Sequence, residues 1–174
     1  MIYYLEDVRK VYANPLPTLI YFAQEIHQQS QVADAVQVAV WDHPETLERV
    51  VVESNETTEK CLEQLIALSN SEKHPDVVEI DAGTPSIGVF EFVRIVAVAR
   101  ILLPKTLIRL AENCAAMSAG ALALCLSAGA NSAFFAGNML EAMSLRPLDV
   151  TEHHKKVHGC KGDGSCGHCT CGKH

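Results

Sequence analysis

Asp76-Val77-Val78-Glu79-Ile80-Asp81, followed by Gly83-Thr84-Pro85, by Val89-Phe90-Glu91-Phe92-Val93-Arg94-Ile95-Val96-Ala97-Val98-Ala99-Arg100-Ile101-Leu102-Leu103-Pro104, and then by Leu107-Ile108-Arg109-Leu110, is the stretch whose reading decides the fold. The first segment is short and rich in β-branched residues, as strands are. Glycine and proline then mark a loop. The long apolar run predicts a helix over 87–103, stopped by Pro104 because proline disfavours helical backbone in the residue before it. The last segment predicts a second strand. Two strands joined through a helix are parallel, with the helix lying on one face of the sheet.

The same alternation extends both ways. Upstream, Val50-Val51-Val52 predicts a short strand, and residues 56–70 a helix with Leu62, Leu65, Ile66 and Leu68 mostly on one side. His43-Pro44 predicts a helical turn running through Leu47 and Val50, and Val36–Trp41 a first strand. At the N-terminus two helices are expected, 4–12 and 16–29, because Pro15 and Pro17 forbid one continuous helix. In the second, Leu19, Phe22, Ala23 and Ile26 form the apolar face. Downstream, Ser118 is a candidate N-cap for helix 119–128, and Asn131–Phe135 the last strand. The expected class is α/β: a partial (β/α) barrel, about half of an eight-stranded one, with N-terminal helices. A small open sheet has the same local pattern.

Composition narrows the function. The chain has 174 residues, 48% apolar, with a formal charge of −7 and no long basic run. That argues against nucleic acid and anionic membrane surfaces as partners. Met1–Asp7 lacks the basic and apolar regions of a secretory signal, so the cytoplasm is expected. The uncharged segment Cys114–Ala136 is long enough to span a bilayer, but Ser118, Ser127, Gly129 and Asn131 divide it into a helix and a strand. Two domains are expected: 1–148, the partial barrel, and 149–174, a polar tail without the apolar residues of a core.

The tail carries four of the seven cysteines in its last fifteen residues. Cys166 and Cys169 have the x2 spacing that grips one tetrahedral ion, and Cys160 and Cys171 complete four thiolates, with His158, His168 or His174 as alternate ligands. Zinc or an iron–sulfur cluster is the expected occupant. The competing reading is a disordered tail that picks up metal adventitiously.

The segments Phe90–Pro104, Ile108-Arg109-Leu110 and Ala128-Gly129-Ala130-Asn131-Ser132, with Glu56-Thr57 and Gly83-Thr84-Pro85 upstream, resemble the C-terminal part of biotin synthase, a region shared by biotin and thiamin synthesis enzymes. Leu5–Arg9, Ala23–His27 and Val36-Gln37-Val38 are similar to that family's opening helices and first strand. The resemblance implies a (β/α)8 barrel that inserts sulfur into dethiobiotin by radical S-adenosylmethionine chemistry. It also implies a cofactor-cleaving cluster on a C-x3-C-x2-C loop and a sulfur-donating cluster held by three cysteines and an arginine. The chain departs from this pattern. Val38–Pro44 runs from the first strand into what resembles a much later helix, and no cysteine precedes Cys61. Glu53-Ser54-Asn55-Glu56 stands where the family has a glycine-rich turn near the cofactor. S-adenosylmethionine binding and stand-alone catalysis are therefore not expected, and no catalytic residue is assigned. The expected partner is a second copy of the chain or a complete biotin synthase.

Arg109 matches the family's cluster-ligating arginine. Strand alternation puts it on the face opposite Ile108 and Leu110, towards a barrel interior. Glu79 and Asp81 share a face and are candidate partners for it; alignment to the family instead places Asp76 at a ligand-contacting position. The competing reading of Arg109 is an inherited residue in a structural salt bridge. Cys61 and Cys125 are expected to be core cysteines. Cys114, beside Glu112, is expected to have a raised pKa and not to act as a nucleophile.

Overall fold

The computed structural model describes residues 2–30, 37–39, 47–52, 58–83 and 87–134. The metal-ligand candidates Cys160, Cys166, His168, Cys169 and Cys171, with the rest of the 149–174 tail, lie outside them.

Within them the order is α1 (Leu5–Tyr12), α2 (Leu16–Ser30), β1 (Gln37–Ala39), β2 (Leu47–Val51), α3 (Thr58–Asn70), β3 (Val77–Asp81), α4 (Val89–Leu102), β4 (Leu107–Leu110), a 3-10 turn (Glu112–Ala116), α5 (Ala119–Ser127) and β5 (Ser132–Phe134). The strands form one sheet in the order β1-β5-β4-β3-β2, and every neighbouring pair is parallel. From β2 to β5 the chain adds each strand on the same side of the last. Right-handed crossovers taken repeatedly in one direction put all their helices on one face. Accordingly α3 packs on α4 and α4 on α5. A doubly wound sheet reverses direction part-way and places helices on both faces; among the described residues the helices from α3 to α5 share one face.

Local chemistry explains the elements. Helix α1 has Glu6 and Asp7 in its first turn and Arg9 and Lys10 in its last, which suits the helix dipole. The Asn14 side chain donates to the carbonyls of Lys10 and Val11 and closes that helix. Pro17 is tolerated in the first turn of α2, where no helical N–H bond is lost. Leu19, Ala23 and His27 form the buried line of α2, an i, i+4 series; Phe22, expected on that face, is exposed. Helix α4 is buried almost all round because it lies between the sheet and α2. Arg94 ties the layers together, donating to the carbonyls of Tyr12 (2.8 Å) and Asn14 (2.6 Å). The Tyr12 hydroxyl donates to Glu91. Ser118 caps α5 as expected, its hydroxyl accepting from the N–H of Ala121.

Residues 47–50, expected to be helical, are instead strand: β2 starts at Leu47. Pairing with β3 along its whole length, Leu47↔Val77 through Val51↔Asp81, overrides the local helical signal. The uncharged segment from Cys114 is divided between the 3-10 turn, α5 and β5. Among the described residues, no helix is long and apolar enough to cross a membrane.

The β2 edge is partly covered. The Val52 N–H donates to Asp81, so Val50 and Val52 turn their peptide groups towards β3 while Arg49 and Val51 turn theirs outward. Those outward carbonyls accept from the Gln64 amide and the Cys61 thiol of α3. Covering an edge with a helix is a common protection against intermolecular pairing.

Candidate functional site

Register places polar residues in a row across the middle of the sheet. Arg49 pairs with Glu79, Glu79 with Arg109, and Arg109 with Ser132. Side chains at paired positions of a parallel sheet point to the same face. The other face carries Val50, Val78, Ile80, Ile108, Leu110 and Ala133, all buried in the core with the helices. The row therefore lies on the face away from the helices, as alternation predicted for Arg109.

The expected ion pair is corrected. Glu79 is buried and meets Arg49 at 2.5 Å, and Asp81 lies 3.8 Å from the same guanidinium. Among the described residues, no carboxylate lies within ion-pair distance of Arg109. Its guanidinium carbon sits 6.0 Å from the centre of the Phe134 ring. Arg49 was not singled out from the sequence, and it is the residue that takes the acid. The choice between registers is also settled: Glu79 and Asp81 share the row's face, while Asp76 is exposed just before β3 and gives its carbonyl to the N–H of Leu107.

At the carboxyl ends of β3 and β4, Asp81 accepts from the Asn113 amide (2.5 Å) and from the backbone N–H of Gly83 (2.8 Å). Cys114 is buried beside them, its thiol 3.7 Å from the Ile80 carbonyl. Burial first, and the charges of Asp81 and Glu79 after it, push this thiol up to about 11. It is a neutral thiol at physiological pH and a poor nucleophile. The direction agrees with expectation, but the cause is burial and not Glu112. Cys125, fully buried in α5, is pushed up further by burial, and Cys61 is buried against β2. Both are core cysteines, as expected.

The sulfur-donating cluster that the resemblance implies needs cysteines around Arg109. Among the described residues, no three His, Cys, Asp or Glu side chains are grouped to hold a metal. Cys61 bonds to Val51, Cys114 to Ile80, and Cys125 is enclosed by the packing of α5, each thiol engaged in its own local environment. The described donor set does not fit that cluster.

A second polar centre was missed. Arg100, wholly buried in α4, donates to the carbonyls of Gly129 (3.0 Å), Leu103 (3.3 Å), Pro104 (2.9 Å) and Thr106 (3.0 Å), and to the side-chain oxygen of Asn131 (2.9 Å). That Asn131 oxygen also accepts from the N–H of Ile108. Burial pulls the Arg100 guanidinium down to about 10, so it stays charged at neutral pH. The available signal was a charge inside Val-Ala-Arg-Ile, otherwise apolar, four residues before a proline.

Arg100, Asn131, Glu79, Arg109 and Ser132 all fall within one stretch that matches a family model. Residues 62–156, more than half of the chain, match the model of the Biotin and Thiamin Synthesis associated domain. The chain belongs to this family. Curated relatives of the chain include the biotin synthase of Xanthomonas campestris pv. campestris (strain B100), 35% identical over 147 residues, covering 67% of this chain and 42% of the relative. The biotin synthase of Xanthomonas euvesicatoria pv. vesicatoria (strain 85-10) is 36% identical over 125 residues, 58% of this chain and 36% of the relative. That of Anaplasma marginale (strain Florida) is 39% identical over 104 residues, 54% of this chain and 32% of the relative. The chain thus spans about two-fifths or less of the length of these relatives. In this member of the Biotin and Thiamin Synthesis associated domain family, Arg100, Gly129 and Asn131 form the structural centre, and Arg109 and Ser132 face the other way.

Proposed function

We propose that this chain serves biotin biosynthesis as an arc of a biotin-synthase-like barrel that does not insert sulfur by itself. Strand order carries the reading. A closed parallel barrel hydrogen-bonds its first strand to its last. Here β1 pairs with β5, the last described strand, and among the described residues β1 and β2 are the two unpaired edges. Parallel neighbours need a crossover of about a dozen residues or more. Only residues 40–46 separate β1 from β2, which lie at opposite edges. An arc lacking its middle strands accounts for both facts. In the family pattern the missing part holds the C-x3-C-x2-C loop, so S-adenosylmethionine cleavage is not expected.

Complementation tests this. The chain expressed alone in a biotin auxotroph without a synthase gene is expected to give no growth on dethiobiotin; growth would refute the claim of inactivity.

The partner reading is a second copy of the chain or a complete biotin synthase, in the cytoplasm and away from nucleic acid and membranes. It is supported by the β1 edge, which among the described residues pairs only with β5, and by Leu47 and Val51, exposed on the face away from the helices. Multi-angle light scattering at micromolar concentration is expected to show a dimer or larger species. A monomer with one cooperative melt would rule out self-association.

A second reading, a zinc or iron–sulfur carrier acting through the tail, is favoured by Cys160, Cys166, Cys169 and Cys171 with His168. Protein purified anaerobically is then expected to hold about one metal per chain. Changing Cys166 and Cys169 together to Ser abolishes stoichiometric metal while leaving the melting temperature nearly unchanged. Because thiolates must lose protons to bind, occupancy falls as pH is lowered. Visible charge-transfer absorption distinguishes iron–sulfur from zinc.

A further inference from the structure

We draw no further inference here: the strongest candidate, the surface patch formed by the exposed, neighbouring rings of Tyr21 and Phe22 on α2, carries nothing because nothing in the structure shows what covers it.

Discussion

Gly129→Ala is expected to destabilise the fold by about 2–5 kcal/mol, combining left-handed backbone strain with overpacking. Gly129 has φ of 102°, which side-chain-bearing residues rarely adopt. It follows α5 as the turning residue of a Schellman motif: its N–H bonds to the Leu126 carbonyl and the Ala130 N–H to the Cys125 carbonyl. A Cβ there would lie 2.5 Å from Cγ and 2.8 Å from Cβ of Arg100. Neither atom can withdraw, because the guanidinium beyond them is pinned by five hydrogen bonds. Gly120→Ala is the control. A Cβ at Gly120 meets nothing within 4 Å, and the residue lies in the first turn of α5, so stability is expected to be unchanged or to rise by up to about 1 kcal/mol. Chemical denaturation of the two variants measures both effects. Equal midpoints would show that the α5–β5 turn yields freely.

Arg100→Met is expected to cost about 3–5 kcal/mol, the usual penalty for breaking a buried charged network from one side. Methionine fills much of the volume but removes the guanidinium's hydrogen bonds to the carbonyls of Gly129, Leu103, Pro104 and Thr106. Among the described residues no carboxylate balances this arginine; carbonyl dipoles do, among them those at the C-terminus of its own helix, where the dipole favours a cation. Arg100→Lys is expected to recover only part of the loss, since an ammonium has three donors and no planar fork. Differential scanning calorimetry should show the melting temperature falling by about 10 °C or more for Met and by less for Lys. A variant that melts with the parent would mean that water satisfies these carbonyls and that the network is dispensable.

The contrast between Arg100 and Arg109 also marks the limit of reading residues in isolation. Both sit among apolar neighbours, and only one attracted notice, because it matched a ligand position of the family. Alternation in Leu107–Leu110 correctly gave the face of Arg109, since the strand's pleat is local. Its partner could not be read in the same way. Glu79 is its register neighbour, yet Arg49, on the edge strand beyond, takes the acid. Arg49 lay within a segment expected to be helical, so the sequence had no reason to place it in the row. Phe22 failed for a similar reason: the apolar face was drawn by hydropathy, whereas the docking of α2 on α4 follows the line of Leu19, Ala23 and His27.

What the sequence determined alone was the alternation of strands and helices from Val50 to Phe134, the stop at Pro104, the Ser118 cap, and the family. Each of these depends on local rules: side-chain periodicity, proline's missing donor, a hydroxyl three residues from an N–H, or a long motif. Tertiary structure decided the rest. The order β1-β5-β4-β3-β2, and with it the packing of α3, α4 and α5 on a shared face, arises from which edges meet. The capture of Glu79 by Arg49 and the enclosure of Arg100 by residues 103–106 and 129–131 depend on that order, because they join positions brought together only when the strands align. A charged side chain carries no mark in the sequence of whether its partner will arrive. For Arg100 the fold supplies five acceptors; for Arg109, among the described residues, it supplies an aromatic ring and no carboxylate.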